Sequence, residues 1–72
     1  MAGPAGYEVG IRCMKCRRKG AGLVQAPSPQ EARDAVSIRA VCPCGFDGVQ
    51  VLQVKPGAVV DGPGVYLRWD AT

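Results

Sequence analysis

The chain has 72 residues, 47% of them hydrophobic, with nine lysines and arginines, six acidic residues and no histidine. A chain of this length forms at most one domain, and its core is too small for hydrophobic burial alone to give comfortable stability. Residues 1–10 are too weakly hydrophobic for a secretory signal, and no apolar run approaches the ~20 residues that cross a bilayer. We therefore expect no membrane association and a cytoplasmic location, where paired cysteines bind metal more often than they form disulfides.

The N-terminal third predicts a hairpin. Residues 1–6 contain no large side chain and should form a flexible lead-in. In residues 7–12, Tyr7, Val9 and Ile11 alternate with other residues, which predicts a strand with these three side chains on one face. Residues 20–25 have the composition of a returning strand. The first two cysteines then fall in the turn of the hairpin, as a cysteine knuckle.

The middle of the chain predicts a short helix followed by a strand. Ser28 provides a hydroxyl N-cap, Pro29 occupies the first helical position and Glu31 stands three residues after the cap, so a helix is predicted over residues 29–35. From there Val36, Ile38 and Ala40 alternate with polar residues. This pattern predicts a strand over residues 36–41 that leads into the second cysteine pair.

The C-terminal third predicts further strands. Residues 49–55 are the most strand-like stretch, and their apolar side chains fall on both faces, which predicts a central strand continued by residues 58–60 after a bend. A tight turn over residues 61–64 precedes a last strand, residues 65–69. One face of this strand holds Val65, Leu67 and Trp69, and the other holds Tyr66 and Arg68. The domain is predicted to span residues 7–69, with residues 70–72 as a tail.

The four cysteines form two close pairs separated by 25 residues, with the spacings C-x2-C and C-x-C. Zinc takes four thiolates at tetrahedral corners, and one tight turn can supply two of them. One structural Zn²⁺ ion is therefore predicted, with Cys13, Cys16, Cys42 and Cys44 as its ligands. Iron is compatible with the same spacing, and disulfides between the pairs would need an oxidising compartment.

These cysteines, with Gly20 and Gly45 after the pairs and strand-like sequence around both, resemble the zinc-ribbon family over roughly residues 7–55. The resemblance implies a small, mainly β, metal-stapled domain in which two cysteine knuckles join in an antiparallel sheet. The family's second knuckle usually reads C-P-x-C-G. Here Cys42-Pro43-Cys44-Gly45 is one residue shorter, which predicts a strained or rearranged second knuckle.

A narrower similarity covers the first two thirds of the chain. Ile11-Arg12-Cys13 and Cys16, followed by Val36-Ser37-Ile38 and the second cysteine pair, are similar to the small zinc-finger Com proteins of Mu-like phages. This resemblance implies a regulator of translation that binds messenger RNA. The short second knuckle and the inserted Pro27-Ser28-Pro29 depart from that pattern.

The candidate functional residues favour binding over catalysis. Four cysteines fill every position around a zinc ion, and no nucleophile and base are recognisably paired, so we expect neither an enzyme nor a small-molecule substrate. Cations cluster in the first twenty residues, where five oppose Glu8 alone. Such a cluster can bind the phosphates of RNA or DNA in a regulator of transcription or translation. The candidate nucleic-acid-binding residues are Arg12, Lys15, Arg17, Arg18, Lys19 and Arg68.

Two alternatives account for the same residues. The cations can instead partly neutralise the negative charge of a four-thiolate zinc site. The whole module can also be a protein-interaction adaptor that docks on a larger complex through an open strand edge, with zinc purely structural.

Overall fold

The computed structural model describes residues 5–62 and 64–70. Within them the elements follow in the order β1 (Ala5–Cys13), β2 (Lys19–Ala26), α1 (Pro29–Arg39), β3 (Val49–Pro56) and β4 (Val65–Trp69). The strands form an antiparallel sheet in the order β3-β1-β2-β4, and α1 packs across one face. This confirms a small, mainly antiparallel β domain with one short helix. In this part of the chain, no helix has both the length and the apolar character needed to cross a membrane.

The predicted hairpin of β1 and β2 is confirmed, and it forms the centre of the sheet. Tyr7, Val9 and Ile11 are buried under α1, and Cys13 continues the same buried row at the end of β1. The alternation of β1 therefore carries the first cysteine directly from the core into the turn. Ala5 and Gly6 belong to β1, and Gly6 accepts hydrogen bonds from the loop after β3. Residues 1–4 of the predicted lead-in, Pro63 and residues 71–72 lie outside the described residues.

The helix lies very close to β2 because that strand carries a glycine beneath it. A Cβ atom placed on Gly22 would lie 2.6 Å from Cγ1 of Val36. Gly20 has the same relation to Trp69, whose ring carbon Cε3 would lie 2.8 Å from such a Cβ. Trp69 packs partly buried against the core together with Val65.

The helix is longer than predicted, and the strand predicted over residues 36–41 is wrong. Helix α1 continues to Arg39, and the backbone N–H of Ala40 donates to the carbonyl of Val36 at 2.9 Å. Val36 and Ala40 are buried, but Ile38, predicted on the same face, is 81% exposed. Residues four apart share a face in a strand and also in a helix, so this pair could not distinguish the two. The cap is as predicted, since Ser28 Oγ accepts from the N–H of Glu31 at 3.3 Å.

Strand β3 lies at an edge of the sheet, so the predicted central position is wrong. Ile11 stands opposite Val51 whereas Gly10 stands opposite Gln53, which leaves Leu52 as the extra residue of a β-bulge. The bulge reverses the alternation partway along the strand. Val49, Val51 and Val54 consequently all pack on the core, while Leu52 is 45% exposed. The apolar residues that the sequence places on both faces of the strand therefore reflect the bulge, and not a central position in the sheet.

The connection from β3 to β4 must cross the sheet, because these strands lie at opposite edges. The N–H groups of Gly57 and Ala58 both donate to the carbonyl of Gly6, at 3.0 and 3.2 Å. Further along, Gln25 Nε2 donates to the carbonyl of Val60 at 2.8 Å. Residues 58–60 lie in this connection without strand structure, so their predicted strand is wrong. The strand predicted over residues 65–69 is confirmed as β4.

Candidate metal centre

The four cysteines meet at one end of the sheet. Cys13 ends β1, Cys16 lies in the turn before β2, and Cys42 and Cys44 lie in the loop between α1 and β3. Their four Sγ atoms all lie within 4.8 Å of one another. The second cysteine pair therefore follows a helix, whereas the sequence predicted a strand ahead of it.

The distances fit a single tetrahedral ion. Sγ of Cys13 lies 3.7 Å from Sγ of Cys44, and Sγ of Cys16 lies 3.4 Å from Sγ of Cys42. Four sulfurs placed about 2.3 Å from a central ion at tetrahedral corners are roughly 3.8 Å apart. A disulfide bond needs about 2.05 Å, and all four cysteines are free. The arrangement is that of a metal-binding cluster with one ligand from each cysteine.

The first knuckle is a tight turn whose amides point at a sulfur. The N–H groups of Lys15 and Cys16 lie 3.4 and 3.5 Å from Sγ of Cys13. The turn closes when Cys13 N–H donates to the carbonyl of Arg18 and Arg17 N–H donates to the carbonyl of Cys13. Arg17 has a φ of 64°, in the left-handed region that glycine and asparagine occupy more readily. The backbone thus stabilises a thiolate at Cys13.

The second knuckle, which is one residue shorter than the usual C-P-x-C-G, closes through a different turn from the first. The N–H of Gly45 donates to the carbonyl of Cys42 at 2.8 Å, and Cys42 N–H donates to the carbonyl of Phe46 at 2.9 Å. This turn has a φ of 96° at Gly45, a backbone conformation that is strained for any residue with a side chain. A further bond from Met14 N–H to the carbonyl of Gly48, at 3.1 Å, joins the two knuckles.

The pKa values of the two buried cysteines shift in opposite directions. Burial by itself raises the pKa of the Cys13 thiol, but the backbone N–H groups of Cys16 and Lys15 stabilise its thiolate and lower the pKa to about 6. Burial, together with the neighbouring thiols, raises the pKa of Cys42 to about 12, and the Cys44 backbone N–H offsets only part of this rise. A bound divalent cation would supply the charge that lets all four sulfurs ionise in so small a space.

The candidate nucleic-acid-binding residues separate into two groups. Arg12 and Arg17 line a depression beside Cys13, where Nη2 of Arg12 donates to Oε1 of Gln50 at 2.9 Å. Lys19 and Arg68 line a second depression, on the face of the sheet opposite α1. The other two candidates differ in exposure, because Lys15 is exposed at the turn and Arg18 is half-buried.

The face of the sheet opposite α1, called here the uncovered face, also carries a cation that the sequence analysis missed. Lys55 is exposed and stands opposite Glu8 in the register of β3 with β1. Its side of the sheet depends on the bulge at Leu52, so simple alternation along β3 could not assign it. Tyr66, on the same face, is 48% exposed.

No protein-family model, curated protein or solved structure matches this chain. The fold and the cysteine cluster define the class of the molecule: a small β domain with a four-cysteine metal centre.

Proposed function

We propose that the chain is a non-catalytic zinc-binding module that binds nucleic acid in the reducing cytoplasm. Zinc suits a cluster of four thiolates with sulfur separations of 3.4 and 3.7 Å. With all four positions taken by protein, the ion keeps no open position for water or substrate, so its role is structural. Elemental analysis of the purified protein would separate zinc from iron.

The observation that carries nucleic-acid binding is the segregation of charge. Helix α1 balances Arg33 and Arg39 against Glu31 and Asp34. The first knuckle and the adjoining uncovered face hold the other seven cations of the chain, against Glu8 within these strands and Asp70 directly after β4, which lines the same depression as Lys19 and Arg68. Clustered cations of this kind attract phosphate, and their effect grows when they lie on one side of a small domain.

The backbone of Arg17 gives independent support. Arg17 has a φ of 64°, and a residue with a Cβ atom in this left-handed conformation costs roughly 1 kcal/mol of stability relative to glycine. Arg17 is nevertheless an exposed arginine at the tip of the knuckle. The alternative reading, in which the cations neutralise the metal site, requires them to lie near the cysteines. Lys19 and Arg68 instead line the uncovered face, where a phosphate can reach them.

The test is a pair of charge-matched double variants in a binding titration with labelled DNA and RNA. Lys15→Gln with Arg17→Gln removes two cations from the knuckle, and Arg33→Gln with Arg39→Gln removes two from α1. We expect the knuckle variant to bind more weakly and with a salt slope smaller by about 1.4, because each lost phosphate contact on a single strand contributes about 0.7. The helix variant should bind like the parent. Equal binding by both variants and the parent would contradict the proposal.

The resemblance to Com proteins supports a more specific role for the bound nucleic acid. If messenger RNA co-purifies with the protein, regulation of translation is the expected role. Co-purifying DNA would favour regulation of transcription. In either case the chain would act through occupancy of its target and would need no catalytic residue.

One observation favours the adaptor alternative. Strand β3 is an edge strand, and a groove separates it from α1, lined by Met14, Arg33, Ser37 and Val51 among other residues. An extended peptide can add to such an edge as a further strand. A partner protein that is retained by the knuckle variant and lost on substitution in β3 would support the adaptor instead.

A further inference from the structure

The uncovered face is organised in three rows that run across the strands. The row nearest the knuckle contains Gln50, Arg12 and Lys19, which are neighbours in the strand register. The middle row contains Gln53, Gly10, Ala21 and Arg68. The far row contains Lys55, Glu8, Leu23 and Tyr66.

The middle row forms the floor of a trough because Gly10 and Ala21 have almost no side chain. The depression there has a volume of about 450 Å³, and its lining includes the cations Lys19 and Arg68 and the carboxylates Glu8 and Asp70. The outer rows are four residues apart along β1 and β2, or about 13 Å at 3.3 Å per residue. A second depression extends the trough from Glu8 and Ala21 to Tyr66.

Each wall of the trough has its own chemistry. The row nearest the knuckle presents cations, with Arg12 held in place by its 2.9 Å hydrogen bond to Gln50. The far row presents the carboxylate of Glu8, the neighbouring ammonium of Lys55 and the ring of Tyr66, whose hydroxyl donates to the carbonyl of Asp61 at 2.9 Å. Phosphates match the first wall, while the second wall offers a hydrogen-bond acceptor and an aromatic surface.

We infer that the uncovered face binds a single-stranded nucleic acid segment, with phosphates on Arg12 and Lys19 and an unpaired base in the trough between them and Glu8. This inference rests on the proposed function and assigns its surface. A duplex keeps its bases stacked inside, so it cannot place one over Gly10 and Ala21. Tyr66 stacks on a base, and Arg68 reaches the backbone at the end of the trough.

The carboxylate gives the trough a base preference. A carboxylate accepts hydrogen bonds, and the exocyclic amino group of cytosine donates them, whereas thymine has a carbonyl oxygen at that position. We expect cytosine to be bound about fivefold more tightly than thymine, as one such contact allows.

The experiment measures the fluorescence anisotropy of labelled 12-mers with the zinc-loaded full chain. The probes are oligo(dC), oligo(dT), a 12-base-pair duplex, and polyglutamate as an acidic polymer without bases. Lys19→Gln with Arg68→Gln should weaken single-strand binding at least about tenfold at low salt. Tyr66→Leu should weaken it at least about fivefold, and Tyr66→Phe, which keeps the ring, should stay within about twofold of the parent. Glu8→Gln should reduce the ratio of cytosine to thymine affinity.

The outcomes distinguish a failure of this surface assignment from a failure of the proposed function. If Lys19→Gln with Arg68→Gln binds normally while Lys15→Gln with Arg17→Gln does not, nucleic acid binds at the knuckle tip alone and the inference is overturned. Duplex affinity equal to single-strand affinity overturns it too. Polyglutamate binding as tight as oligo(dC), or no nucleic acid binding by the parent, overturns the proposed function as well. Zinc content and the fluorescence of Trp69 verify that each variant is folded.

Discussion

Replacing Gly22 with alanine tests the packing that holds α1 on the sheet. The new Cβ would lie 2.6 and 2.9 Å from the two methyl carbons of Val36, contacts that folded proteins avoid. Val36 is fully buried, so the helix itself must shift. Overpacking costs typically about 1–3 kcal/mol, and alanine in place of a strand glycine returns about 0.5–1 kcal/mol. From the middle of both ranges, we expect a net loss of roughly 1–2 kcal/mol in the free energy of unfolding.

Gly10→Ala is the matched control, because Gly10 is a strand glycine on the opposite face. Its new Cβ would meet only the flexible side chain of Gln53, with Cγ at 3.1 Å, and that side chain is exposed. Thermal unfolding at one fixed concentration of free zinc, followed by Trp69 fluorescence, measures both variants. Gly22→Ala should melt roughly 5–15 °C below the parent, and Gly10→Ala at or slightly above it. If Gly22→Ala melts as high as Gly10→Ala, the close packing of α1 on β2 is wrong.

Further predictions concern the metal centre and the helix. Chelation should unfold the domain, since structural zinc contributes about 10–16 kcal/mol in small metal-dependent domains; unchanged NMR dispersion after complete metal removal would contradict this. Acid should release the metal, because protons compete for thiolates, so bound zinc measured by equilibrium dialysis should be highest at neutral pH and fall as the pH falls. Val36→Ala should lower the free energy of unfolding by about 2 kcal/mol, while Ile38→Ala should change it by less than about 0.5 kcal/mol; equal losses would support a strand there. Ser28→Ala should cost about 1 kcal/mol by removing the helix cap, measured by urea denaturation, and no loss would show that the cap is not formed.

The features that depend on neighbouring residues can be predicted from local sequence patterns. The alternation of Tyr7, Val9 and Ile11 predicts a strand with these side chains on one face; the structure confirms both and buries that face. Ser28 caps the helix as its place before Pro29 and Glu31 predicts. The cysteine spacings likewise predict one cluster, because each close pair forms its own turn.

The features that depend on distant contacts emerge only when the chain is folded. The end of α1 depends on packing of Val36 against β2 at Gly22, a contact that the alternation of residues 36–40 does not reveal. The side of the sheet on which Lys55 lies depends on how β3 aligns with β1 around Leu52. A strand's pattern repeats every two residues, so a one-residue bulge moves every later side chain to the other face. Local chemistry therefore predicts the elements and the metal ligands, whereas strand register creates the uncovered face.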